Sequence, residues 1–455
     1  MPNNPTIMWF RQDLRIQDNP ALAHAAQSGP FLPIYILDDK NAADWQMGGA
    51  GRLWLQHALN DLNTSLKGNL QVFIGDAFEI LKSLKPKEIH WNRCYEPWRI
   101  KRDKDIKSYF QDKEVTVTSH NGSLLWEPWE IAKKDGTPYK VFTPYYRKGC
   151  LGAPPPRPEI DTQKLPLEQR DIKPIEILND KRDWTQTTIQ NWDITEKGAH
   201  NRLNDFLETS LHNYKNGRDF PALETVSRLS PYLHFGQISP HQVWHHARGF
   251  AALHQVDQHI DHFCSELAWR EFSYSLLFYQ PNLPTENLNA KFNPFTWSED
   301  EESFDAWCLG RTGYPLVDAG MRELWQTGFM HNRVRMVTAS FLIKNLMIDW
   351  RKGENWFWDC LFDADLANNA ASWQWVAGCG ADAAPYFRIF NPVTQSKKFD
   401  PDGTYIRKYI PELRHLSNKD IHEPWKSKQG LNGYPAPIID LKFSRERALA
   451  AYKNL

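Results

Sequence analysis

Short apolar runs alternate with helical patterns along the first 125 residues, and this alternation constrains the fold more than any other feature. Strand, helix and strand in that order predict a doubly wound parallel sheet, which places the fold in the α/β class. The first runs are almost continuously apolar, as expected for strands covered on both faces. The predicted strands are Thr6–Phe10, Phe31–Leu37, Leu70–Ile74, Glu88–Asn92 and Val115–His120. The predicted helices are Ala21–Gln27, Arg52–Leu66, Ala77–Leu84 and Lys101–Phe110.

The alternation stops near residue 125 and gives way to a different organisation. GAPPPRPEID at Gly152–Asp161 predicts a connector, because proline removes hydrogen-bond donors and fixes φ. From about Lys197 onward the apolar period becomes helical, with no strand pattern between the helices. We therefore predict an α/β domain at 1–125, an interdomain linker at 126–199 and an all-α domain at 200–455. The predicted helices are Leu203–Leu211, His241–Leu253, Asp257–Phe278, Phe304–Leu309, Tyr314–Gln326, Arg333–Trp350 and Asn355–Phe362.

Composition narrows the function classes. The formal net charge is −1, so any nucleic-acid binding must come from a local basic patch. The sequence has no apolar run of about 18 residues, and its start lacks a secretory pattern, so neither a membrane span nor export is predicted. The six cysteines form no CxxC pair, which predicts neither a disulfide framework nor a metal site and favours a reduced, cytoplasmic location.

A glycine cluster after the second predicted strand offers a weak phosphate-loop signal. Gly48, Gly49 and Gly51 do not form GxGxxG and do not follow the first strand. A plain helix entry is therefore favoured over a phosphate cradle.

Two segments of the helical region combine apolar periodicity with unusual polar groups. Thr327–Asp349 predicts a buried helix that begins with several polar and basic residues, for which end capping and a salt bridge are the simplest explanation. Phe362–Pro392 holds two carboxylates, a double asparagine, two tryptophans and many small residues. This composition suits a heteroaromatic ring, because asparagine both donates and accepts hydrogen bonds and small residues permit close approach. On these residues alone an ordinary hydrophobic core is the favoured explanation, and two aspartates without histidine provide too few ligands for a metal site.

Several motifs in one order point to a known family. Together they resemble the photolyase/cryptochrome family, and most closely its class I cyclobutane pyrimidine dimer photolyases, from Trp9 to about Leu413. The family's layout agrees with the α/β and helical regions predicted above. The motifs are WFRQDLRIQDN at Trp9–Asn19, SRLSPYLHFG at Ser227–Gly236, ELAWREF at Glu266–Phe272, GRTGYPLVDAGM at Gly310–Met321, HNRVRM at His331–Met336 and FRIFNP at Phe387–Pro392.

The resemblance implies a non-covalent FAD in the helical domain. The matching positions for its phosphates are Tyr214, Val226, Ser227, Arg228, Leu229 and Ser230. Beside the isoalloxazine ring, Arg335 and Asp363 match the two partners of an ion pair. The other matching positions there are Ala364, Asp365 and Asn369, the last at flavin N5. One position departs from the family, which usually has threonine where this chain has Val226, while Thr225 lies one residue earlier.

The resemblance also implies a pocket for a pyrimidine dimer flipped out of double-stranded DNA. Glu266, Asn332 and Met336 match substrate contacts and count, with Asn369, as candidate catalytic residues. The other matching positions at the dimer or its flanks are Trp269, Arg270 and Trp375. Candidates for the DNA backbone are Arg218, Arg333, Arg388, Gln395, Lys397 and Lys398.

The implied activity is light-driven repair, in which photoexcited FADH⁻ passes an electron to the dimer and later regains it. The enzyme expected is thus a deoxyribodipyrimidine photo-lyase. The chain has 20 tryptophans, a surplus that the resemblance partly explains. Trp373, Trp350 and Trp297 match an electron-transfer chain that leads from the flavin to the surface.

Relatives with other activities define the alternatives. A (6-4) photolyase resembles this chain but has histidine where Asn332 and Met336 stand. A signalling cryptochrome of the plant type, the main alternative, has aspartate at the position of Asn369 and a long C-terminal tail. A DASH-type protein looks less similar around WREF and HNRVRM.

A second, light-harvesting chromophore is also expected. The folate-binding relatives carry an Asn–Glu pair near the position of Trp98–Arg99, which this chain lacks. A deazaflavin or a flavin is therefore favoured over a folate, near Asp38 and Arg52. The expected partner is double-stranded DNA that contains pyrimidine dimers, and the chain is expected to be monomeric, with no metal and no membrane.

Overall fold

The computed structural model describes residues 4–162, 165–178, 180, 182–383 and 387–455. Its contacts divide the chain into two compact units. The sheet unit comprises the described residues of 1–181, 192–212 and 227–281, and the helical unit those of 182–191, 213–226 and 282–455. The domain boundaries predicted from the sequence remain a prediction.

The sheet unit contains a five-stranded parallel sheet in the order β3-β2-β1-β4-β5, as a doubly wound fold requires. In the register, Thr6 pairs with Phe31 on one side and with Glu88 on the other. The strands are β1 Thr6–Phe10, β2 Phe31–Leu37, β3 Gln71–Ile74, β4 Glu88–Asn92 and β5 Thr116–His120. Their helices are α1 Pro20–Gln27, α2 Asp39–Ala42, α3 Gly49–Ser65, α4 Ala77–Leu84 and α5 Pro97–Gln111. The α/β prediction is therefore confirmed, and Gly48 and Gly49 begin a plain helix as favoured.

Helices account for the regular structure of the rest of the described chain, in which no further sheet strand occurs. Residues 153–162 and 165–178 contain neither helix nor strand, in keeping with the proline-rich sequence. The helices are α6 Phe142–Pro144, α7 Trp184–Thr187, α8 Glu196–Asp205, α9 Tyr214–Gly217, α10 Ser230–Phe235, α11 Pro240–His254, α12 Asp257–Tyr279, α13 Glu301–Cys308, α14 Pro315–Thr327, α15 Asn332–Ser340, α16 Trp350–Cys360, α17 Leu366–Ala377, α18 Pro392–Phe399, α19 Thr404–Tyr409 and α20 Leu441–Lys453.

The single helix predicted at Arg333–Trp350 is wrong. Helix α15 ends at Ser340 and continues as a wider π-helical turn over Phe341–Leu346. Met347 then adopts a left-handed conformation with φ 59°, which ends the helix. The side chain of Asp349 accepts a hydrogen bond from the Arg351 main-chain N–H and so caps α16.

Burial of large aromatic side chains stabilises these helices and strands. Trp9 and Trp91 pack edge to face in the core of the sheet unit, with ring centroids 5.6 Å apart. In the helical unit, Trp307 and Trp350 are fully buried. Within the described residues, no helix combines the length and apolar character needed to cross a membrane.

Candidate functional site

An ion pair joins Arg335 of α15 to Asp363, which precedes α17. The Arg335 Nη2 atom lies 2.9 Å from Asp363 Oδ2, and its Nε donates to the carbonyl of Met330 at 2.7 Å. The second carboxylate oxygen, Asp363 Oδ1, is buried and has no hydrogen-bond partner among the described residues. Because buried polar atoms are normally satisfied, this oxygen indicates a place where a ligand donates a hydrogen bond.

Helix α17 begins directly after this ion pair and fixes the predicted flavin contacts. The Asp365 side chain caps it by accepting from the main-chain N–H of Asn368 at 2.9 Å. One turn further on, Asn369 Nδ2 donates to the main-chain oxygen of Glu354 in α16 at 3.0 Å. The amide nitrogen of Asn369 is thus held by the neighbouring helix, whereas the amide oxygen of Asn369 takes no part in that hydrogen bond.

Glu354 is a buried acid that the sequence did not single out. Its side chain is 1% exposed, and its Oε1 atom has no partner among the described residues. Burial raises the pKa of this carboxyl well above its usual range. The raised pKa favours the uncharged form of this carboxyl beside Asn369.

Trp373 lies deep in the helical unit and packs closely on α16. It is 2% exposed, and a Cβ atom added to Gly353 would lie 2.2 Å from the edge of its indole. Its ring contacts Phe357, at a centroid distance of 5.0 Å, and Trp307, at 6.3 Å. The contact with Trp307 could not be predicted from the sequence, because its spacing from Trp373 gives no hint of contact. The two other predicted electron carriers, Trp350 and Trp297, are fully and partly buried respectively.

The candidate DNA contacts of the helical unit occupy more exposed positions. Arg333 pairs with Asp219, with Nη2 2.7 Å from Oδ2, and its guanidinium lies 4.5 Å from the ring centroid of Phe399. Asn332 and Arg388 are exposed. The remaining members of this set are Arg218, which lies 5.3 Å from the Tyr214 ring, the partly buried Met336, Trp375 and Gln395, and the exposed Lys397 and Lys398.

In the sheet unit, α12 carries the remaining candidate substrate contacts. Glu266 and Trp269 are half-buried, and Trp269 stacks on Phe142 with ring centroids 3.8 Å apart and planes 10° apart. Phe142, which sequence reasoning missed, therefore covers one face of this indole. Arg270 is mostly buried and pairs with Glu271 at 3.0 Å. Burial raises the pKa of Glu271 to about 7, against the opposing effect of Arg270.

The predicted phosphate-binding positions are divided between the units. Tyr214 and Val226 belong to the helical unit, and Ser227 to Ser230 to the sheet unit, where Ser230 begins α10 and Leu229 is buried. Arg228 has a positive φ of 53° and lies 4.7 Å from the ring centroid of Trp192. The hydroxyl of Thr225 is buried and has no partner among the described residues. Thr225 therefore offers a hydroxyl where Val226 lacks one.

These groups fit an FAD. The unpaired oxygen of Asp363 and the unpaired hydroxyl of Thr225 are the kinds of atoms that a flavin ring and a phosphate would satisfy. Ala364 is buried and adds no polar group. In the part of the chain that the structure describes, no group of histidine, cysteine and acidic residues is placed to hold a metal ion.

The region expected to hold a second chromophore lies at the carboxyl end of β2. Asp38 accepts from Asn41 Nδ2 at 2.9 Å and from Arg102 Nη1 at 3.1 Å. Arg52 pairs with Asp39 at 2.8 Å. The carboxyl edge of a doubly wound sheet is a frequent ligand site, and the placement of a chromophore there stays a prediction.

Comparison with known proteins agrees with this fold. A family model described as the FAD-binding domain of DNA photolyase matches residues 263–454, and one described as DNA photolyase matches residues 6–161. Deoxyribodipyrimidine photo-lyase of Agrobacterium fabrum is 46% identical over 98% of this chain and 97% of its own. Cryptochrome-2 of Arabidopsis thaliana is 35% identical over 97% of this chain and 77% of its own.

Two solved photolyase structures have a fold similar to that of this chain. A bacterial class III photolyase from Agrobacterium tumefaciens superposes with a TM-score of 0.93 at 46% identity, covering 100% of this chain and 98% of its own. An archaeal photolyase from Sulfolobus tokodaii, solved with two FAD molecules that imply a novel light-harvesting cofactor, gives a TM-score of 0.84 at 29% identity, over 99% of this chain and 100% of its own. The two-unit flavin-binding fold is therefore that of a light-dependent flavoprotein. The chain belongs to the photolyase/cryptochrome family.

The family is confirmed, but the finer expectation of class I is corrected by these matches. The photolyase that shares 46% identity over the whole chain is a class III enzyme. The motifs quoted above are predicted to occupy the family's flavin and substrate positions, and motifs of this kind reflect the chemistry that the whole family shares rather than its subdivisions.

Proposed function

We propose that this protein is a deoxyribodipyrimidine photo-lyase, which repairs cyclobutane pyrimidine dimers in DNA with light. The observation that carries the proposal is the Arg335–Asp363 ion pair with its unpaired buried oxygen, directly before the helix that holds Asn369 and Trp373. Bound FAD supplies the photochemistry: in its reduced form it absorbs light and donates one electron to the dimer. The chain's residues bind, orient and shield the reactants.

The flavin-side residues have separable tasks. Asp363 would accept a hydrogen bond from the ring system, and Arg335 balances the charge of Asp363 through their ion pair. Asn369, held by the Glu354 carbonyl, presents a neutral amide to the N5 side of the ring. The phosphates are assigned to the hydroxyls of Thr225 and Ser227. The main-chain N–H groups directly before α10 add further donors. The neutral amide of Asn369 adds no charge that would repel a reduced, anionic cofactor.

The substrate-side residues recognise a lesion that stacks poorly and is therefore cheap to extrude from the duplex. Trp269, with one face on Phe142, and Trp375 provide flat apolar walls. Glu266 and Asn332 hydrogen-bond the polar edges of the pyrimidines, and Met336 fills the apolar surface beside them. Arg333, Arg388, Arg218 and Gln395 contact the backbone of double-stranded DNA.

Repair of ultraviolet-irradiated DNA tests the proposed function. Purified protein with reduced FAD should remove thymine dimers under blue light and remove none in the dark. Asp363→Asn should weaken FAD retention, because an amide cannot replace the Arg335-paired carboxylate, while the exposed Glu299→Gln should retain the cofactor. Light-dependent FAD chemistry with no loss of dimers would contradict repair and favour the signalling cryptochrome.

We also propose an antenna chromophore near Asp38 and Arg52, a deazaflavin or a flavin in preference to a folate, because the Trp98–Arg99 position lacks the Asn–Glu pair of folate binders. The absorption spectrum of the extracted chromophores checks this assignment, and a folate spectrum would overturn it.

We further propose that the protein acts as a monomer in the cytoplasm. Its six cysteines are all buried and unpaired, which agrees with a reducing compartment.

A further inference from the structure

Lys344 is a buried lysine for which the proposed mechanism has no role. It lies on the π-helical turn Phe341–Leu346 and is 3% exposed. Its Nζ atom donates a hydrogen bond to the main-chain oxygen of Arg388, and the ammonium lies 4.6 Å from the ring centroid of Phe387. Because removing an ammonium from water is costly, contacts that retain it must be specific.

Both contacts of Lys344 fall on one short segment, 387–390, which carries a candidate DNA contact. A second tie holds the same segment, since the Phe390 main-chain N–H donates to Ser340 Oγ at 3.3 Å. The side chain of Arg388 is exposed, although its carbonyl is held against Lys344. The segment leads into Asn391, which caps α18 by accepting from Thr394. Its main chain is thus anchored while an arginine faces outward.

We propose that Lys344 is a positioning residue for DNA binding, which holds the 387–390 segment through the Arg388 carbonyl and takes up a proton when phosphates bind at Arg388. This inference rests on the proposed function, because it needs Arg388 to contact the DNA backbone. The ligand class is the phosphodiester backbone, irrespective of whether the duplex is damaged. The buried amine of Lys344 thereby responds to a phosphate that binds to Arg388 and does not contact Lys344 itself.

The electrostatic surroundings explain the coupled proton. Burial first, and the positive charge of Arg388 second, lower the pKa of Lys344 to about 7, while the Cys379 thiol opposes this effect. From α20, Arg447 donates to the carbonyl of Asn345, the residue that follows Lys344. A phosphate bound to Arg388 offsets one of the charges that disfavour the ammonium, so the pKa of Lys344 rises in the complex. Between the free and bound pKa values binding takes up a proton, and affinity therefore falls as pH rises above 7.

Calorimetric titration of a DNA duplex in buffers of different ionisation enthalpy, from pH 6 to 8.5, tests the proposal. The wild-type protein should take up a fraction of a proton and bind several-fold more weakly at pH 8 than at pH 6. Lys344→Met should lose the proton uptake and bind about tenfold more weakly at pH 6, because a charge-assisted hydrogen bond to the segment is lost. Lys344→Arg keeps a permanent cation and should lose the pH dependence even where affinity is retained.

Lys442→Met is the matched control, since Lys442 is an exposed lysine on α20 and belongs to no predicted contact. This variant should keep the proton uptake that belongs to Lys344. Uptake that persists in Lys344→Met and Lys344→Arg would overturn the inference. Arg388→Ala separates this failure from failure of the proposed function: if it binds DNA as well as the wild type, Arg388 is no DNA contact, whereas if it weakens binding and the Lys344 variants do not, only the role of Lys344 is wrong.

Discussion

Trp373→Phe is expected to abolish light-driven reduction of oxidised FAD, while repair by enzyme reduced chemically beforehand persists. The phenyl ring retains an aromatic body against Gly353 and Phe357 but is far harder to oxidise by one electron than an indole. Repair itself needs an electron to leave the reduced cofactor toward the dimer, which does not involve Trp373. Absorbance of the flavin under steady blue light with an external reductant measures the first activity, and dimer loss measures the second.

The test of Trp373→Phe needs a control variant that also replaces a buried indole by a phenyl ring. Trp91→Phe provides it, because Trp91 is fully buried on β4 of the sheet unit and belongs to no predicted electron-transfer chain. Trp91→Phe should retain photoreduction despite a similar loss of packing, which is about 1–3 kcal/mol for a smaller core side chain. A parallel decline of photoreduction and repair in Trp373→Phe would instead make Trp373 a purely structural residue.

The sequence predicts the helices and strands better than it predicts the points at which a helix is interrupted. Strands such as Thr6–Phe10 and Phe31–Leu37 were placed to the residue, because apolar runs bounded by polar turns depend on local pattern alone. The interruption between α15 and α16 was missed, since Met347 enters a left-handed conformation without the glycine or proline that usually signals it. Tertiary packing decides such a break, and no window of sequence contains it.

The same distinction applies to the site. Arg335 and Asp363 were predicted as partners from motif positions, and the structure brings them together although 28 residues separate them. The partners of motif residues could not be predicted in this way. Phe142 stacks on Trp269 from a connector with no motif, and Glu354 holds Asn369 through its main chain, which any residue type could do. Such contacts arise from the fold and leave no trace in residue identity.

Trp269→Ala is expected to remove most of the preference for dimer-containing DNA. Trp269 offers one indole face for stacking because Phe142 covers the other at 3.8 Å. Loss of base stacking on an aromatic side chain costs about 1–3 kcal/mol, so affinity for damaged duplex should fall by about one to two orders of magnitude. Affinity for undamaged duplex, which depends on backbone contacts, should change little.

Titrating both duplexes at several salt concentrations separates recognition of the lesion from attraction to the backbone. Arg333→Ala should weaken binding to both duplexes alike and reduce the salt slope by about one unit, because one phosphate contact is lost. The net effect of Arg333→Ala also includes release of Asp219, whose charge then repels phosphate. Trp325→Ala is the control for loss of an indole, since Trp325 is 60% exposed on α14 and belongs to no predicted contact. Full discrimination in Trp269→Ala would place the dimer pocket elsewhere on the protein.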